Sequence, residues 1–225
     1  MKKENLLKIV AVAVLAAAGW LLAVFISELF AENSVWGHLS FGLIVSAVAL
    51  TLVSVFYRLD NKQKKISLNL SKHLKPFGTG FLWFAAPATV LLLGAVGSGI
   101  VEIEILRSPI EVVGIVLLIA GLVALAEAIP EEIIMRGYIF SKLSESGKRW
   151  FTIFAQAIIF TGFAFVIGAL SDPLDASFIF TFGVILGILR SATGSVAAPI
   201  GFHLACMTFQ QSFTERWEIF VVSNE

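Results

Sequence analysis

Val112-Val113-Gly114-Ile115-Val116-Leu117-Leu118-Ile119-Ala120-Gly121-Leu122-Val123-Ala124-Leu125-Ala126-Glu127-Ala128-Ile129 is a run of eighteen residues with one charged side chain, near its far end. A bilayer core about 30 Å thick takes about 20 apolar residues per helix, so this run reads as a membrane span. The pattern recurs at about 6–30, 38–57, 77–100, 151–170, 176–189 and 196–213, which makes seven spans in all. An eighth, re-entrant or split helix is the alternative. The sixth run is short and the seventh holds polar residues, and both suit helices inside a bundle. The runs are apolar all round rather than alternating, so strands are not expected; a barrel would need alternating segments of about ten residues.

Composition agrees. Of 225 residues, 58% are hydrophobic and 14% charged, and mean hydropathy is +0.91. A soluble domain is about one-quarter charged. This chain has too few polar side chains to cover a water-facing surface, and the expected fold is one all-α polytopic bundle over residues 1–225. Formal net charge is zero, which leaves no nucleic-acid footprint. Cys206 is the single cysteine and reads as a small packing residue; no intramolecular disulfide can form. The first apolar run is too long for a signal-peptide core and is read as a retained helix.

Lys and Arg placement orients the bundle. With the N-terminus cytoplasmic, fourteen of the sixteen basic residues fall inside, and only Arg107 and Arg216 fall outside. Seven spans then put the C-terminus outside. The polar stretch 58–75 reads as a cytoplasmic connector that fixes topology, or as a face for anionic lipid headgroups.

The first run leads into Pro130-Glu131-Glu132-Ile133-Ile134-Met135-Arg136-Gly137. A charged group at mid-span costs about 2.5–3.5 kcal/mol on insertion scales, so such groups face the interior and pair. Glu132 and Arg136 are four apart, hence neighbours on one helix face. Glu127 and Glu131 share the same spacing, which disfavours ionising both. A glutamate that exchanges its proton near neutral pH suits general acid–base work. Pro130 is expected to kink or restart the helix, and a restart would set Glu131 and Glu132 in a first turn, where the helix dipole favours acids. The other reading of these residues is an interfacial charge cluster. Thr193-Gly194-Ser195 reads as a tight turn into the last helix, which carries His203. A lone histidine there needs a partner. All four residues, Glu131, Glu132, Arg136 and His203, are expected in one polar pocket.

Glu131-Glu132-x-x-x-Arg136 resembles the first motif (EExxxR) of the CAAX-protease and bacteriocin-processing family of intramembrane endopeptidases. The segment 190–203, with its Thr-Gly-Ser turn leading to His203, resembles that family's third region. The resemblance covers about 112–213, the family-like catalytic core. It implies that Glu131 activates a water, that Glu132 and Arg136 support it, and that His203 stabilises the oxyanion. It also implies an integral protein of a bacterial cell membrane, acting at the cytoplasmic side on a peptide or lipidated protein. Membrane lipid is the other partner.

The sequence departs from the family at two positions. Phe160 fits the second motif (FxxxH), but Ala164 stands where its histidine belongs. Met207 stands where an asparagine should follow His203 by four residues. Gln156, Thr161 and Gln210 are the polar residues that could hold water in their place. The rival reading is a catalytically inactive relative that binds a membrane protein or peptide, in an immunity or scaffold role. A small transporter is a third, against which the lack of an inverted repeat counts. No HExxH or Cys/His ligand cluster appears, so neither a zinc site nor a cofactor is expected.

Overall fold

The computed structural model describes residues 3–30, 34–60 and 70–223. Seven helices carry them: α1 (Lys3–Ser27), α2 (Val35–Leu59), α3 (Leu70–Gly97), α4 (Pro109–Ser144), α5 (Arg149–Val166), α6 (Pro173–Thr193) and α7 (Ala197–Ser212). Six are long and apolar enough to cross a membrane. The chain is therefore an all-α polytopic bundle. The expected seventh span is α7, whose 16 residues reach only about 24 Å at 1.5 Å per residue. It is an inner helix, with Ala198, Phe202, Ala205 and Cys206 among its buried residues.

Caps mark the turns. Asp172 accepts from the backbone N–H of Leu174 and Asp175 at the start of α6, satisfying donors that have no partner within the helix. Gly194 closes α6 in the left-handed region, φ 67°, where glycine has no Cβ penalty. This is the expected turn.

The helices alternate between two polar faces, and contacts identify each. On one face, the start of α1 and the ends of α2 and α4 meet. Asp60 accepts from Lys8 at 2.9 Å and Lys142 at 2.7 Å, and Asn5 donates to Glu145 at 2.7 Å. Lys3, Arg58, Lys72, Lys75, Lys148, Arg149 and Arg190 lie toward the same face; we call it the basic face. On the other, two short strands pair antiparallel, β1 (Glu102–Ile105) with β2 (Phe220–Ser223). Arg107 bonds Glu218 there at 2.6 Å, and His38 meets Arg216. This is the sheet face. The strands lie outside the apolar runs, all of which are helical as expected, and their backbone groups pair with each other. The stretch expected as a connector, 58–75, holds the end of α2 and the start of α3, and 61–69 lie outside the described residues.

Close backbone approach sets the packing of α3 on α7. A Cβ on Gly80 would meet the Ala198 carbonyl, and one on Gly201 would meet the Phe77 carbonyl. Small residues at such crossings replace the hydrophobic drive that lipid cannot supply.

Candidate active site

The charged stretch lies well inside α4. Of the kink or restart expected at Pro130, the restart does not occur. The helix runs on to Ser144, with π-helical turns at Ala124–Ala128 and Ile133–Ile139 on either side of the proline. In the first turn, Ile129 N–H bonds the Ala124 carbonyl, five residues back. Proline has no N–H to continue that pattern. Ser46 of α2 donates to the Leu125 carbonyl at 2.6 Å, so a neighbouring helix satisfies the freed acceptor. That arrangement is how proline is tolerated at membrane depth. The first-turn dipole argument for Glu131 and Glu132 therefore falls.

Three of the expected residues are bonded together. Glu132 Oε1 accepts from Arg136 Nη1 at 2.8 Å and pairs with His203 Nδ1 at 3.0 Å. All three side chains are buried. Arg136 also lies over the Phe160 ring, 4.5 Å from its centroid, and reaches the Gly183 carbonyl at 3.4 Å. Gln156 donates to that same carbonyl at 2.7 Å. His203 meets the Phe182 ring edge-on at 5.0 Å. Among the described residues, Glu132 Oε2, Arg136 Nε and Gln156 Oε1 are buried with no protein partner. Buried polar atoms usually have a partner, so these three are places where a polar ligand atom or a water would be accommodated.

Glu131 is not part of that bonded set. It lines a cavity of about 360 Å³ together with Glu127 and His203. Aromatic side chains, Trp20, Phe41, Phe160 and Phe178 among them, form much of the wall. Ala164 and Met207 line the same cavity, so the two positions where the family motifs call for histidine and asparagine face the space occupied by Glu131 and His203. Of the three polar residues expected to hold water, Gln210 lines the cavity. Gln156 is committed to backbone carbonyls, and Thr161 donates to Ala157 at 3.0 Å and lines a separate groove.

Two participants were not among the expected four. Glu127 was visible as a second carboxylate one turn before Glu131. The Gly183 carbonyl carried no signal in the sequence; glycine matters there because a Cβ would stand 3.2 Å from Ala157.

His203 has its Nδ1 committed to Glu132. A neutral ring with the proton on Nδ1 offers Nε2 as an acceptor only, and Nε2 donates only when the ring is an imidazolium. Arg136 and His203 bond Glu132, and Glu131 is the carboxylate of the Glu131–Glu132 pair that lines the cavity.

No curated protein and no solved structure matches the chain. Residues 113–209, which hold Glu127, Glu131, Glu132, Arg136, Ala164, His203 and Met207, match the family model described as Rce1-like, type II CAAX prenyl endopeptidase, and over that region the chain is similar to that family.

Proposed function

We propose that the chain is an intramembrane endopeptidase of CAAX type in which Glu131 activates a water. The observation that carries this is the Glu131–His203 cavity inside the Rce1-like region. Glu131 as carboxylate takes a proton from water, and the resulting hydroxide attacks the scissile carbonyl carbon. The C–N bond then breaks, and the proton on Glu131 passes to the leaving amine. The products are a carboxylic acid and an amine. His203, as imidazolium, donates from Nε2 to the carbonyl oxygen as it gains charge. Donors placed for that charge supply about 2.7–4 kcal/mol each. Glu132 and Arg136 act through His203, as positioning residues.

A second reading rests on Ala164 and Met207, whose apolar side chains occupy the motif positions for a water-sharing histidine and a second oxyanion donor. On that reading the chain binds a peptide or membrane protein without cutting it.

Purified protein in detergent, assayed on prenylated and unprenylated peptides, separates the two. Slow cleavage that disappears with Glu131→Ala is the expected result. Cleavage indifferent to Glu131→Ala defeats the assigned base. A cellular phenotype that survives Glu131→Ala together with His203→Ala favours the binding protein.

A further inference from the structure

The cavity lining is uneven along the bundle axis. From Glu131 and His203 it passes Met207 and Gln210, near the end of α7, to Ala169 and Asp175, beside the start of α6. Gln210 is exposed, and Asp175 sits in the first turn of α6. Both belong to the sheet face. Phe41, six residues into α2 from that same face, lines the wall.

None of the residues assigned to the basic face lines the cavity. Beneath the cavity lie the buried Glu132–Arg136 pair and Gln156. Beyond them come Met135, Tyr138 and Ile139, all buried. The Asp60 cluster with Lys8 and Lys142 caps that end.

Charge divides the same way. The sheet face carries Glu28, Glu102, Glu104, Glu111, Asp172, Glu215 and Glu218 against Arg107 and Arg216. The cavity wall itself includes Glu127, Glu131 and Asp175, with no lysine or arginine. Basic residues flanking membrane helices stay in the cytoplasm.

We propose that the cavity is entered from the extracytoplasmic side, and that its ligand is a peptide segment in which basic residues adjoin an apolar stretch. This turns the site away from the cytoplasmic side that the sequence resemblance implies. Carboxylates at the mouth draw cationic groups by raising their local concentration, and the aromatic wall takes the apolar part. That the ligand is cut rests on the proteolytic reading; the direction of access does not.

The test is thiol labelling with membrane-impermeant methanethiosulfonates, in full-length protein with Cys206→Ala. Gln210→Cys reads the mouth and Met207→Cys the interior, while Lys148→Cys on the basic face reports sidedness. In intact cells, Gln210→Cys and Met207→Cys should react from outside and Lys148→Cys should not; in inverted vesicles the pattern should reverse. A cationic reagent should outpace an anionic one about tenfold at Met207→Cys. Reaction of Met207→Cys and Gln210→Cys from the cytoplasmic side alone overturns the proposal. So does failure of both to react from either side while Lys148→Cys reacts. Equal rates for the two reagents overturn the choice of a basic ligand. Outside labelling in a chain inert toward every peptide removes the proteolytic reading and leaves access standing.

Discussion

Glu132 is the residue on which the interior network depends, because one of its oxygens serves both Arg136 and His203. Breaking a buried ion pair from one side costs about 3–5 kcal/mol, most of it from the charge left behind. Arg136→Met should therefore lower stability by that order in mixed-micelle unfolding. Arg136→Met with Glu132→Leu should recover much of it, since no lone charge remains. Ala164 and Met207 pose the opposite question. Ala164→His with Met207→Asn would restore the groups that the family motifs carry. One decade of rate is about 1.4 kcal/mol, and one oxyanion donor accounts for about two to three decades. A gain of at least two decades in peptide cleavage, abolished by Glu131→Ala, is the expected outcome on the proteolytic reading. No gain in a variant that folds counts for the binding protein. The pairing of Glu132 with Arg136 was legible from spacing alone. The bond from Glu132 to His203 was not, because it spans 71 residues and depends on how α7 packs against α4.

At the scale of elements, α4 shows what a residue pattern can and cannot announce. Its apolar run ends near Ile129, and proline follows, so a kink or a restart was the local expectation. The helix continues because two π-helical turns and the Ser46 hydroxyl absorb what Pro130 withholds. Neither is visible from the stretch itself, since Ser46 lies 79 residues away. Ser46→Ala should cost about 1–3 kcal/mol, the penalty for a buried carbonyl left without a donor. Ser46→Thr, which keeps the hydroxyl, should cost less. The crossing of α3 and α7 makes a sharper claim. Gly201→Ala drives a methyl into the Phe77 backbone, and backbone cannot rotate away as a side chain can. Displacing α7 would carry His203 with it. Thermal unfolding of Gly201→Ala should fall by several degrees, and the labelling rate of Met207→Cys in the same background should change.

Over the whole molecule, the division into a basic and an acidic face was legible in the sequence from lysine and arginine placement. Which way the cavity points was not, because it depends on the depth at which α2, α5, α6 and α7 stand beside α4. The Asp60 cluster ties three helices together at the basic face. Burial alone would raise the Asp60 carboxyl, but Lys142 and Lys8 outweigh it and hold the group below the ordinary value of 3.8. A carboxyl lowered in the folded state stabilises the fold above its unfolded value and loses that contribution as pH falls through the folded one. Stability should thus be level near neutral pH and decline below about pH 4. In Asp60→Asn this part of the decline should be absent, and stability at pH 7 should be lower. An acid profile unchanged by Asp60→Asn would refute the linkage. The two-stranded sheet has a consequence in time. At about 5–20 residues per second, β2 leaves the ribosome roughly 6–24 s after β1, since Glu102 and Ser223 lie about 120 residues apart. Until then four helices must be threaded through the bilayer with β1 unpaired at its surface. The sheet face, and the cavity mouth beside it, is the part of the molecule that is finished last.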